Sequence, residues 1–251
     1  MNDLILQSIR AKAERLVAKL EKSNAAFLKS LTISIISISD FKFSHTDFTP
    51  EEINYYKNKI PSLAGRYAAK LAINKALNKN IPLKNISILS SQSGEPVLSL
   101  PKNSEFTRTL SLSITHEDEL AASLVAVSKD KNRISVGLDA TRNNRIAAVA
   151  KQLPILQKIL TKKELNEAYT DKQLAKIWTG KEAISKALGV GIWHGGFLQK
   201  IEIFFQDDKA KVKLHDEMLD IARYKEISDW DIAFIEDENI TLGIVLGCHL
   251  S

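Results

Sequence analysis

Apolar residues near the start of the chain recur every three or four positions: Leu4, Ile5, Ile9, Ala13, Leu16, Val17 and Leu20. That spacing predicts an amphipathic helix over residues 3–29, and packing on the body of the protein is a commoner fate for such a stripe than a membrane or a partner helix. Residues 31–39 then alternate, are rich in Ile, and predict a strand ending at Asp40. Strand patterns return at 109–114, 120–128 and 134–139, and again at 211–214, 230–235 and 240–248. From Trp178 to Gly189 the spacing is helical, with Trp178, Ala183, Ala187 and Leu188 available for one apolar side.

The pattern also has an internal echo. Phe48-Thr49-Pro50-Glu51-Glu52-Ile53-Asn54 resembles Leu160-Thr161-Lys162-Lys163-Glu164-Leu165-Asn166, and Lys70-Leu71-Ala72-Ile73-Asn74-Lys75-Ala76-Leu77 matches Lys181-Glu182-Ala183-Ile184-Ser185-Lys186-Ala187-Leu188. A strand pattern follows each copy, at 86–89 and 201–205. Strand runs broken by helices predict an α+β fold made of two similar α/β subdomains, related by a pseudo-two-fold axis. The expected division is an N-terminal helix over 1–30, one subdomain over 31–130 and a second over 131–251. The polar turn Lys129-Asp130-Lys131-Asn132 marks the boundary. Ligands favour the interfaces between domains.

Composition narrows the classes. With 251 residues, 44% hydrophobic and 26% charged, the chain can bury a substantial core. A formal charge of +5 favours an anionic partner, such as a phosphorylated small molecule or an acidic protein. That charge is not gathered into blocks, so nothing points to a nucleic acid beyond the net charge itself. Cys248 is the single cysteine, which excludes an intrachain disulfide and a cysteine-based zinc site. No signal-peptide core and no membrane-spanning window are present, so the expectation is a cytoplasmic protein without a membrane partner.

The candidate chemistry lies in the second half. Asp139 closes the apolar run 134–138, while Glu182 and Lys186 stand four apart on one helix face. Carboxylates on a strand end and a helix can converge on a hard cation such as Mg²⁺, which accepts one or two of them and takes its remaining ligands from water and substrate phosphates. The first half has Leu71 where the second has Glu182, so although Asp40 and Asp139 both end expected strands, only the second half offers a carboxylate pair. Thr115 and His116, in Ser113-Ile114-Thr115-His116-Glu117-Asp118 after an expected strand, can donate to phosphate oxygens. The glycines at 189, 191, 195 and 196 follow a helix, which does not fit a dinucleotide fingerprint. Trp193 and His194 in that loop suit either packing or substrate contact. His45, His215 and His249 show no ligand spacing.

Taken together, Gly137-Leu138-Asp139, the run Trp178-Thr179-Gly180-Lys181-Glu182-Ala183-Ile184-Ser185-Lys186 and the turn Ser113-Ile114-Thr115-His116 resemble the marks of the 4′-phosphopantetheinyl transferase superfamily. The likeness spans about residues 31–250, and the doubled length is similar to the surfactin-synthetase-activating type, a pseudodimer in one chain that acts as a monomer. This resemblance implies transfer of 4′-phosphopantetheine from coenzyme A to a serine of an acyl- or peptidyl-carrier protein, with release of adenosine 3′,5′-bisphosphate. It implies Mg²⁺ held by Asp139 and Glu182, with Lys186 on the pyrophosphate and Thr115 and His116 on the nucleotide phosphates. Arg66, in Ala64-Gly65-Arg66-Tyr67, falls near a basic phosphate contact of the family, and Lys181 is either structural or a phosphate partner. Two departures stand out. Asp139-Ala140-Thr141 lacks the third carboxylate of many doubled members, and Gly94-Glu95-Pro96 has an acid where a lysine is frequent. They keep alive a second class, an inactive relative that binds coenzyme A or a carrier protein. A nucleic-acid-binding protein is a third, resting on charge alone.

Overall fold

A computed structural model describes residues 3–57, 59–101, 109–129, 134–190, 196–207 and 209–249. Residues 130–132 of the expected boundary turn lie outside them, as do Gly191, Trp193, His194 and Gly195. The chain forms two compact units, Met1–Ile134 and Ser135–Ser251. Among the described residues no helix is long and apolar enough to cross a membrane.

The first unit opens with α1 (Asp3–Ser23), whose residues Leu6, Ile9, Ala13, Val17 and Leu20 are buried at the expected helical spacing, the helix packing on β1 (Leu28–Ser37). The helix stops six residues short of the sequence expectation because Asn24 turns the chain, donating from both its backbone N–H and its side-chain amide to Leu20 O at 3.0 Å. Strand β1 accordingly starts and ends earlier than its pattern suggested, and Asp40 falls in the turn beyond it. Then come α2 (Pro50–Tyr56), α3 (Ile60–Leu77), β2 (Ser87–Ser90), β3 (Pro96–Ser99), β4 (Leu110–Glu117) and β5 (Leu120–Ser128). The antiparallel sheet runs β1-β5-β4, with β2 and β3 forming a separate hairpin. Every residue of the central β5 is buried, and α3 lies across β5, β1 and β4.

The second unit contains β6 (Ile134–Arg142), α4 (Asn143–Ala150), α5 (Leu153–Ile159), α6 (Asp171–Ala187), β7 (Ile201–Gln206), β8 (Lys209–Leu214), α7 (Asp216–Tyr224), β9 (Ile227–Glu236) and β10 (Ile240–His249). Its sheet order, β6-β10-β9, with β7 and β8 as a separate hairpin, repeats the topology of the first unit strand for strand. Helix α6 packs on β10, as α3 does on β5. Cys248 is buried in β10, and burial pushes its thiol up to about 11.

The echoed sequence has a physical meaning in both units. Thr49 caps α2 by accepting from Glu52 N, while Thr49 N donates back to the Glu52 carboxylate at 2.9 Å. That same carboxylate accepts from Ile88 N at 3.0 Å and from Lys70 Nζ at 2.6 Å, and both charged side chains are fully buried. In the second unit Glu164 accepts from Thr161 N (2.7 Å), Ile203 N (2.9 Å) and Lys181 Nζ (2.5 Å). Each unit therefore ties a cap, a helix and a hairpin strand to one buried glutamate.

Helix α6 approaches the sheet with almost no clearance at Gly137. A Cβ there would lie 1.8 Å from the Ala183 carbonyl oxygen, and one on Gly243 would lie 3.1 Å from the Thr179 oxygen. Gly137→Ala is expected to destabilise the second unit by about 3 kcal/mol or more, because helix backbone cannot give way as a flexible side chain would. The shift of the urea midpoint checks this, and an unchanged midpoint would show that the helix can lift at no cost.

Candidate active site

The contact at Gly137 places one face of α6 over β6. Two residues along the strand, Asp139 faces the same way as Gly137 and meets that helix face. Lys186 Nζ donates to Asp139 Oδ1 at 2.7 Å and to Leu138 O at 3.0 Å. Asp139 is 4% exposed, and the Lys186 side chain retains 26%. Glu182 sits one turn earlier on α6 and is half-buried. Burial pushes its carboxyl up to about 8, and the neighbouring Asp139 carboxylate pushes the same way, against the pull of Lys186 and Arg145. Asp139, Glu182 and Lys186, singled out from spacing, are thus brought into one cluster.

One detail corrects the sequence expectation. Asp139 does not end its strand: β6 continues through Ala140 and Thr141, 4% and 1% exposed, to Arg142. The acid is tolerated inside a strand because Lys186 neutralises it there. Arg145, whose charge acts on Glu182, was not singled out from sequence, since one arginine in a weakly patterned stretch gives no signal.

The donor set fits a hard divalent cation. Two carboxylates share a largely buried place with one ammonium, and their repulsion calls for further positive charge. Among the described residues no group of three or more His, Cys, Asp and Glu gathers for a metal, so water or substrate oxygens would complete any coordination shell. Thr141, the residue standing where a third carboxylate would be, is buried.

The residues expected on the nucleotide phosphates lie in the first unit. Thr115 and His116 belong to β4 itself, paired with Ala122 and Ala121, rather than to a turn after it. The β4–β5 turn comes at Asp118-Glu119, with Asp118 at φ +35°. Strand alternation buries Thr115 at 5% and exposes His116. Arg66 is 8% exposed, stacked 4.4 Å above the Tyr56 ring, and donates from Nε to the Tyr56 hydroxyl at 2.8 Å and from a terminal nitrogen to Ser90 Oγ at 2.7 Å. The partner hydroxyls bring no compensating charge.

Lys181 takes the structural alternative. Its ammonium is fully buried and spends its three donors on Glu164 Oε2, Ile159 O (2.8 Å) and Leu198 O (3.0 Å), so it has none for a phosphate. Burial pushes it down to about 8, with Glu164 opposing the shift. The signal for this role was the Thr-x-x-Glu half of the repeat, which pairs with the lysine only in three dimensions. Lys181→Met should cost about 3–5 kcal/mol, since it strands Glu164 as a buried charge. Chemical unfolding reads the loss, and full stability would show that the pair is dispensable.

The profile of the 4′-phosphopantetheinyl transferase superfamily matches residues 135–242, which lie within the second unit. A holo-[acyl-carrier-protein] synthase of Thermodesulfovibrio yellowstonii is 36% identical over 92 residues, covering 35% of this chain and 79% of the relative. One from Hydrogenovibrio crunogenus is 31% identical over 120 residues, covering 45% of this chain and 94% of the relative. Among solved structures, the holo-ACP-synthase from Plasmodium yoelii aligns with a TM-score of 0.41 at 23% identity, over 47% of this chain and 97% of that one.

Proposed function

The chain belongs to the 4′-phosphopantetheinyl transferase superfamily, and we propose that it transfers the 4′-phosphopantetheine group of coenzyme A to a serine of an acyl- or peptidyl-carrier protein with the help of Mg²⁺. The observation that carries this reading is the cluster of Asp139, Glu182 and Lys186 at the close contact of α6 with β6. Asp139 and Glu182 would hold Mg²⁺, which supplies Lewis-acid polarisation of the pyrophosphate oxygens when bound. Lys186 holds the Asp139 carboxylate in place and offers its charge to the pyrophosphate. A bond forms from the serine oxygen to the β-phosphorus, and the bond from that phosphorus to the bridging oxygen breaks. Adenosine 3′,5′-bisphosphate departs with the bridging oxygen, and the serine proton passes to the Glu182 carboxylate or to water.

By the family resemblance, Thr115, His116 and Arg66 are the candidates for contacts to nucleotide phosphates. Thr115 and His116 offer side-chain donors from β4, and Arg66 offers a guanidinium whose hydrogen-bonded partners are hydroxyls. The net charge of +5 suits an acidic carrier protein and would speed the encounter. A second reading, a relative that binds coenzyme A or a carrier without transfer, is kept by two departures from the family: Thr141, where many doubled members have a third carboxylate, and Glu95, where a lysine is frequent.

Intact-protein mass spectrometry of apo carrier proteins incubated with this protein, coenzyme A and Mg²⁺ separates the two. The expected outcome is a carrier that gains one phosphopantetheine unit, and loses that gain when a chelator is added. Glu182→Gln, nearly isosteric, should fold normally and slow transfer by about a hundredfold or more. A folded Glu182→Gln variant with full transfer would sink the site assignment. Binding of coenzyme A with no transfer to any carrier would favour the second reading.

A further inference from the structure

Because both units are built on the same kind of buried glutamate, side chains found in only one of them are not demanded by the topology. Thr161 matches Thr49 and Glu164 matches Glu52, which sets Lys162 against Pro50 and Lys163 against Glu51. Ile203 and Ile88 each donate to that glutamate, so Glu202 stands where the first unit has Ser87. Glu202 pairs with Lys213 across its hairpin as Ser87 pairs with Ser99, which sets His215 against Pro101. The first unit therefore reaches the same strand order with Pro50, Glu51, Ser87 and Pro101 where the second carries Lys162, Lys163, Glu202 and His215.

Those four second-unit residues line one cleft of about 660 Å³, to which Leu160 and Leu165 add apolar wall. Glu202 is 4% exposed. Lys163 Nζ donates to its Oε1 at 2.8 Å, and His215 Nε2 lies 3.0 Å from its Oε2. Burial works to raise the Glu202 carboxyl, but these two partners hold it below the ordinary carboxylate range. A buried carboxylate that the topology does not require is costly, and here it fixes a lysine and a histidine at the cleft. The other acid of the lining, Asp216, is matched by Lys200, which also reaches Glu217 at 3.6 Å. Lys162 makes no ion pair with a described residue. The acids are thus neutralised and positive charge is left over. We propose that this cleft binds a small phosphate monoester, with its phosphate on Lys162, Lys163 and His215 and its organic part against Leu160 and Leu165. Lys163 spends one donor on Glu202 and keeps two for the ligand. The site is additional to the cluster of Asp139, Glu182 and Lys186 and does not depend on the transfer reading.

Isothermal titration of the full chain with phenyl phosphate, in saturating coenzyme A so that the transfer site is filled, reads the cleft by itself. Binding should persist there and exceed that of inorganic phosphate. It should weaken about tenfold or more in Lys162→Glu, an exposed position. Binding abolished by coenzyme A would assign the phosphate to the transfer site and overturn the cleft. An affinity unchanged in Lys162→Glu overturns it too. Phenyl phosphate held no better than inorganic phosphate means an adventitious ion only, and the ester class falls. Should coenzyme A not bind at all, the transfer reading fails while Lys162→Glu still tests the cleft. Lys163→Glu with Glu202→Ser gives the second unit the residues of the first, and should keep its circular dichroism and melting while losing the ligand. A steep fall in melting would make the cluster part of the fold and overturn the proposal.

Discussion

Everything at the carboxylate cluster depends on how closely helix α6 can lie on strand β6. Gly137 removes the one side chain that would hold them apart, and the Ala183 carbonyl takes its place. With the helix seated there, residues one turn apart on α6 and two residues along β6 fall on the same spot. Lys186 can then reach both the carboxylate and the backbone carbonyl of adjacent strand residues, and Glu182 meets Asp139 closely enough for each charge to act on the other. The first unit shows what happens without the glycine. There Thr32 of β1 donates from its hydroxyl to the Ala72 carbonyl of α3 at 2.9 Å, and α3 carries Leu71 where α6 carries Glu182.

Concentrating two carboxylates in a largely buried place, as the second unit does, works against stability, whereas the buried ion pair in each unit is well satisfied. Glu52 and Glu164 each gather an ammonium, a cap N–H and a strand N–H, so the buried charge is neutralised and its lone pairs are used. A buried pair of this kind contributes little net stability over an apolar substitute. What it specifies is where cap, helix and hairpin must meet, because any other arrangement leaves an unpaired charge in the core. The same device recurs in both units on matched residues, and both units share one strand topology.

Periodicity made much of this legible. The strands β7, β9 and β10 and the carboxylate-bearing turn of α6 follow alternation or helical spacing plainly, as does the buried stripe of α1. The sequence was less clear where tertiary contacts override local pattern. Asp139 and Thr115 read as residues at or beyond strand ends because polar residues commonly stop strands. Both are held inside strands by partners distant in sequence: Lys186 for Asp139, and Ala122 of β5 across the hairpin for Thr115. Helices α4, α5 and α7 left too short an apolar pattern to be read.

The buried thiol of Cys248 has a practical side. It is the sole sulfhydryl of the chain, shielded inside β10, and at neutral pH it is almost wholly protonated. Thiolate-seeking reagents therefore meet an effectively silent background. Spectroscopic tags could be attached at any chosen surface position by introducing one cysteine, with no need to remove the native one and disturb the strand that carries it.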